Sequence, residues 1–142
     1  MQLLAYILLQ SFAYQAIAEK DGIKKADLFK DAIEVNVRKE HRPRLGLIVA
    51  AIRYAENGGP GKEYGIIHRR VKPTYRSQAG WCAATVQKNW DRWREEGSKG
   101  EFIDYLGAKY APIGVDNDPN GLNQNWIKNV KFYVNKLTKP KK

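Results

Sequence analysis

The chain alternates apolar runs at helical spacing with short polar breaks. Met1 to Ala18 (MQLLAYILLQSFAYQAIA) is dominated by apolar residues and has no charged side chain. From Ile23 to Arg38 a helical pattern runs through Ile23, Leu28, Phe29, Ile33 and Val37, until Glu40 to Pro43 breaks it. Leu45 to Ala55 (LGLIVAAIRYA) is almost continuously apolar over three helical turns, which predicts a buried central helix. Asn57-Gly58-Gly59-Pro60-Gly61 ends it. Glu63 to Ile67 reads as a short extended segment. Ser77 to Trp93 has helical spacing through Trp81, Ala84, Thr85, Val86, Trp90 and Trp93, with the three tryptophans expected in the core. Gly97 to Gly100 separates it from a helix over Glu101 to Tyr110. Ala111 to Leu122 is a Pro/Gly/Asn/Asp loop, and a last helix runs from about Asn123 to Leu137 before the basic tail Lys139 to Lys142. The expected fold is mainly α, with about six helices and little or no sheet.

The first eighteen residues form a segment of their own. They close on Ala16-Ile17-Ala18 before Glu19, the small-x-small pattern of a secretory cleavage site, although the usual positive flank is missing. The alternatives are an apolar helix packed on the domain or an uncleaved anchor, and Gln10, Ser11 and Gln15 argue against a membrane span. Residues 19–142 are expected to form one domain.

Composition narrows the classes. At 142 residues and 43% apolar, the chain has the length and substance for one packed core, which excludes a disordered tail, collagen or a coiled coil. Twenty-five Lys and Arg against fifteen Asp and Glu leave a net charge of +10, all of it beyond Ala18. Such a surface attracts a polyanion: nucleic acid, an anionic membrane or an acidic wall polymer. His68-Arg69-Arg70 with Lys72 and Arg76 is the densest basic cluster, read either as a solvated face or as a retention patch. A lone cysteine, Cys82, excludes an intramolecular disulfide and reads as a buried small hydrophobe, and no Cys/His spacing suits zinc.

The residue that carries chemistry is Glu56. Leu45, Val49, Ile52 and Glu56 are spaced four, three and four apart, so the carboxylate lies on the apolar stripe of the central helix and in its last turn. Desolvation and the helix dipole should both raise its pKa toward the range of a general acid near neutral pH. The other reading is a structural glutamate paired with Arg53 or Lys62.

The helix ending in Glu56-Asn57-Gly58, the glycine-rich loop, and then Tyr64-Gly65-Ile66 together resemble the lysozyme-like superfamily, in particular its soluble lytic transglycosylase and phage muramidase group. Glu56 matches that group's catalytic acid. Gly65-Ile66 matches half of its Gly-Ile-x-Gln segment, with Ile67 and His68 in the remaining places. Cys82 to Gln87 is similar to the helix behind the groove, Lys131 to Leu137 to the closing Tyr-Val segment, and Gly121 to Trp126 to a block of phage and bacterial wall hydrolases. The intermediate Ala-Tyr-Asn motif is absent as such; Tyr110-Ala111-Pro112 stands there.

The resemblance implies a small helical enzyme that cleaves the bond between N-acetylmuramic acid and N-acetylglucosamine in peptidoglycan strands. In a transglycosylase, Glu56 alone acts as acid and then base, assisted by the substrate's N-acetyl group. The hydrolytic alternative needs a second carboxylate, for which Asp118 is the candidate. Tyr64, Gly65, Ile66, Tyr110, Asn123, Asn125, Trp126 and Tyr133 are the candidate substrate-binding residues, the aromatics by stacking on sugar faces and the asparagines by bonding the N-acetyl group; Asn123 reads equally as a helix cap. An exported or phage-associated location is expected, with no cofactor, no metal and no specific nucleic acid. A non-catalytic basic module that binds glycan or nucleic acid is the rival class.

Overall fold

The computed structural model describes the backbone of residues 2–110 and 124–139 and the side chains of residues 9–110 and 125–139. Among the described residues, six α-helices follow in order: α1 (Gln2–Asp21), α2 (Ile23–Asn36), α3 (Arg42–Glu56), α4 (Tyr75–Glu95), α5 (Phe102–Tyr110) and α6 (Gln124–Leu137), with one 3-10 turn over Lys39–His41. Among the described residues there is no strand, so the protein is mainly α.

The near-continuous apolar run forms α3, the centre of the bundle. Leu45, Val49, Ala50, Ala51 and Ile52 are fully buried, and α1, α4 and α6 pack around them. Pro43, in the first turn, needs no backbone donor there. The Arg42 guanidinium ties this start to the end of α2, donating to the carbonyls of Val37 (3.0 Å) and Glu34 (2.9 Å). Gly22, at φ 96°, separates α1 from α2, a conformation that favours glycine.

Two details differ from the pattern. First, the helix does not stop with the apolar run at Ala18: α1 continues to Asp21, and Ala13, Ala16 and Ile17 are buried. The Tyr54 hydroxyl of α3 donates to the Ala16 carbonyl at 2.7 Å. Second, Trp81 is not a core residue: it is 39% exposed, whereas Trp90 is buried and Trp93 half-buried. The buried stripe of α4 runs through Tyr75, Ala79, Cys82, Val86 and Trp90, and Trp81 lies about 100° away from it. Cys82 is buried as expected, and burial pushes its thiol up to about 12.

Among the described residues, no helix is long and apolar enough to cross a membrane.

Candidate active site

Glu56 is the last residue of α3, and Asn57 closes the helix in the left-handed conformation at φ 48°. The Asn57 side chain is held by Lys20, whose Nζ donates to Oδ1 at 2.7 Å. After it the chain must turn tightly, and the glycines are there for space: a Cβ on Gly58 would lie 1.8 Å from the Lys62 carbonyl oxygen. Arg53, one turn before Glu56, clamps both ends of this loop. Its Nη1 donates to the carbonyls of Gly58 (3.2 Å) and Glu63 (3.1 Å), while Nε and Nη2 make a two-pronged pair with Asp21, both at 2.8 Å.

The segment expected to be extended is not a strand. A single buried side chain, Gln78 of α4, takes the place of a neighbouring strand: its Oε1 accepts from the Tyr64 (3.0 Å) and Ile66 (3.2 Å) amides, and its Nε2 donates to the Ile66 carbonyl (2.9 Å). These three bonds bring Gly65 against Glu56. At φ +74°, a Cβ on Gly65 would stand 2.2 Å from Glu56 Oε2, so the carboxyl rests on bare backbone. Gly65→Ala should therefore swing Glu56 out of place, at a cost of about 1–2 kcal/mol in backbone strain. Thermal unfolding measures the strain, and a shift of the Trp126 indole NMR signal reports the displaced carboxyl.

Trp126 of α6 completes the site. Its indole Nε1 donates to Glu56 Oε1 at 2.8 Å, and its ring stacks on Tyr110 with centroids 5.0 Å apart. Close approach of α5 and α6 makes this reach possible: a Cβ on Gly107 would lie 2.2 Å from Ile127 Cγ1 and 3.3 Å from the Trp126 ring. The Tyr110 hydroxyl donates to the Tyr64 carbonyl at 2.5 Å, so both backbone groups of Tyr64 are held by side chains.

Burial raises the Glu56 pKa above its ordinary 4.5, and the Trp126 hydrogen bond, which favours the charged form, offsets part of the rise. Among the described residues no cation pairs with Glu56: Arg53, the partner suggested by sequence, is taken by Asp21. Because an indole nitrogen only donates, Oε1 must accept, and the proton of the neutral acid belongs on Oε2, beside Gly65.

The remaining sequence-based candidates divide. Tyr64 is fully buried, its hydroxyl 2.6 Å from that of Tyr75, so it cannot stack on a sugar; it is a core residue. Gly65 and Trp126 meet Glu56 directly, Tyr110 stacks on Trp126, and Ile66 follows Gly65 on the segment that Gln78 anchors. Tyr133 is placed instead against Tyr54, at 5.3 Å. Asn125 is exposed in the first turn of α6. Asn123 and Asp118 lie outside the described residues. Glu63 is buried, with Oε1 lacking a hydrogen-bond partner among the described residues. Two surface hollows, of about 440 Å³ between α1, α2 and α3 and about 610 Å³ between α3, α4, α5 and α6, have no contribution from Glu56. Gln78 is a site-building residue that sequence reading did not assign, and Arg53, read there as a partner of Glu56, builds the loop instead; the signal for both is a polar side chain at a buried helical register.

Compared with known proteins, the chain matches no family model, no curated protein and no solved structure.

Proposed function

We propose that the protein is a peptidoglycan-cleaving enzyme of lysozyme-like type, exported or phage-associated, that acts on the bond between N-acetylmuramic acid and N-acetylglucosamine. The observation that carries this reading is the state of Glu56: a half-buried carboxyl with raised proton affinity, no described counter-cation, and one oxygen held by the Trp126 indole. Such a group holds a proton at a pH where an ordinary glutamate has lost it, and it can deliver it from Oε2.

The transglycosylase reaction uses this carboxyl twice. Glu56 gives its proton to the glycosidic oxygen as the C1–O bond breaks, and the N-acetyl oxygen of the substrate shields C1. The Glu56 carboxylate, steadied by the Trp126 N–H, then takes the proton of the sugar's 6-hydroxyl, whose oxygen closes on C1 to form the anhydro ring. No second carboxylate enters these steps.

Mass spectrometry of digested, purified walls tests the reading. Anhydromuramyl ends are expected; reducing ends would assign hydrolysis instead, and loss of no glycosidic bond would remove the enzymatic reading. The pH profile gives an independent check. Trp126→Phe removes the interaction that favours the carboxylate, so the Glu56 pKa should rise further and the alkaline limb of the rate profile should move to higher pH. An unshifted limb would take Glu56 out of the proton transfer.

A further inference from the structure

The basic cluster at His68 is not used by the chemistry at Glu56, and its surroundings are unusual. Between Glu63 and Asp91 the chain has no acidic residue, while Arg69, Arg70, Lys72, Arg76 and Lys88 lie in that interval. Arg69, Arg70 and Lys72 are exposed and, among the described residues, make no ion pair. At the head of the same loop Ile67 is 88% exposed, immediately after the segment that Gln78 anchors. The loop is shaped by its own bonds: Val71 N–H donates to the His68 carbonyl at 2.9 Å, and Arg70 N–H to His68 Nδ1 at 3.1 Å. The His68 ring lies stacked on Trp81, with centroids 5.2 Å apart and planes 23° apart, which joins the loop to the outward stripe of α4 that carries Ala84 and Lys88.

We propose that Ile67 to Lys72, together with Trp81, form a docking surface for an anionic lipid bilayer. Ile67 enters the acyl boundary, Trp81 with its stacked His68 sits at headgroup level, and Arg69, Arg70 and Lys72 lie on the phosphates. Cations alone would suit any polyanion. A solvent-directed aliphatic side chain at the tip of the loop and an indole at its base favour the bilayer, because a phosphate polymer or nucleic acid in water gains nothing from Ile67. The surface is separate from the proton chemistry, so Glu56→Gln should bind as the wild type does.

Co-sedimentation of the full chain with phosphatidylglycerol-containing vesicles tests this, with pure phosphatidylcholine vesicles as reference. Arg69→Glu/Arg70→Glu should weaken binding by about 30-fold or more, and Ile67→Ser by about tenfold. Lys39→Glu/Lys99→Glu, which makes the same change of net charge elsewhere, should retain most of the binding. Brominated acyl chains should quench the tryptophan fluorescence, and Trp81→Phe should lose that quenching. Equal loss in both charge-reversed variants would reduce the effect to net charge. Full binding by Ile67→Ser would assign the surface to a soluble polyanion, and either result overturns the proposal, as does equal binding to neutral vesicles.

Discussion

Under the wall-cleaving reaction proposed above, Glu56→Gln should clear cell walls about 10²- to 10⁴-fold more slowly than the wild type, the usual worth of a positioned general acid, while folding at least as stably. The two effects have one cause. Burial raises the folded-state pKa of Glu56 above 4.5, so the folded protein binds the proton more tightly than the unfolded chain does. Stability therefore falls as pH rises from about the unfolded value through the folded one, because deprotonation is easier once the chain unfolds. Glutamine keeps an acceptor for the Trp126 indole and has no charge to desolvate. Its Tm should accordingly exceed that of the wild type at pH 7, and the gap should close below about pH 4.5. Turbidity loss and thermal unfolding at the two pH values measure both. A variant that lyses walls at the wild-type rate would remove Glu56 from the mechanism, and one that unfolds earlier at pH 7 would mean that its carboxylate has a structural partner.

The placing of Glu56 was legible because the information is local: four, three and four residues on one helix put its carboxyl on the stripe of Leu45, Val49 and Ile52, and all three are buried. The glycines after it were legible as a turn for the same reason. What surrounds the carboxyl is not local. Trp126 is seventy residues away, and no spacing rule relates a tryptophan on one helix to a glutamate at the end of another. Tyr64 was misread for a related reason. Its burial depends on Tyr75 and Gln78, and a tyrosine after a glycine loop has the same local pattern whether it faces a groove or the core.

The helices followed from periodicity, but residue type was a poor guide to which side is inside. Trp81 was assigned to the core as a tryptophan at helical spacing, like Trp90 and Trp93, whereas the stripe of Tyr75, Ala79, Cys82, Val86 and Trp90 is buried; Gln78, Gln87 and Asn89, polar yet buried on the same helix, blur that stripe in the sequence. The first helix shows the complementary limit. Its run has no charge and only scattered polar residues, so a packed helix and an export segment share one pattern in the sequence, and the burial of Ile17 adds only which face packs on the bundle.

Arg53→Met should lower the unfolding free energy by about 3–5 kcal/mol, a large part of the roughly 5–15 kcal/mol of an ordinary domain. The guanidinium and the Asp21 carboxylate have side chains only 8% and 6% exposed, so removing one charge leaves the other buried with poor compensation. Burial alone would raise the Asp21 pKa; hydrogen bonds from Arg53 and Tyr75, with the charge of Arg53, bring it below the ordinary 3.8 instead. This stabilisation is present above about pH 3.8 and is lost as pH falls through the lower folded value, so Asp21→Asn should flatten the acid limb of the stability curve in that window. Denaturant titrations of the two single variants and of Asp21→Asn/Arg53→Met measure the coupling; the double variant should recover part of the loss, since neither charge is then orphaned. A double variant whose loss is the sum of the singles would mean that Arg53 acts through its backbone bonds alone. Those bonds, to Gly58 and Glu63, have a second consequence: without them the segment that carries Gly65 to Glu56 is held by the Gln78 and Tyr110 side chains, so in the proposed reaction turnover should fall under conditions where Arg53→Met is still fully folded.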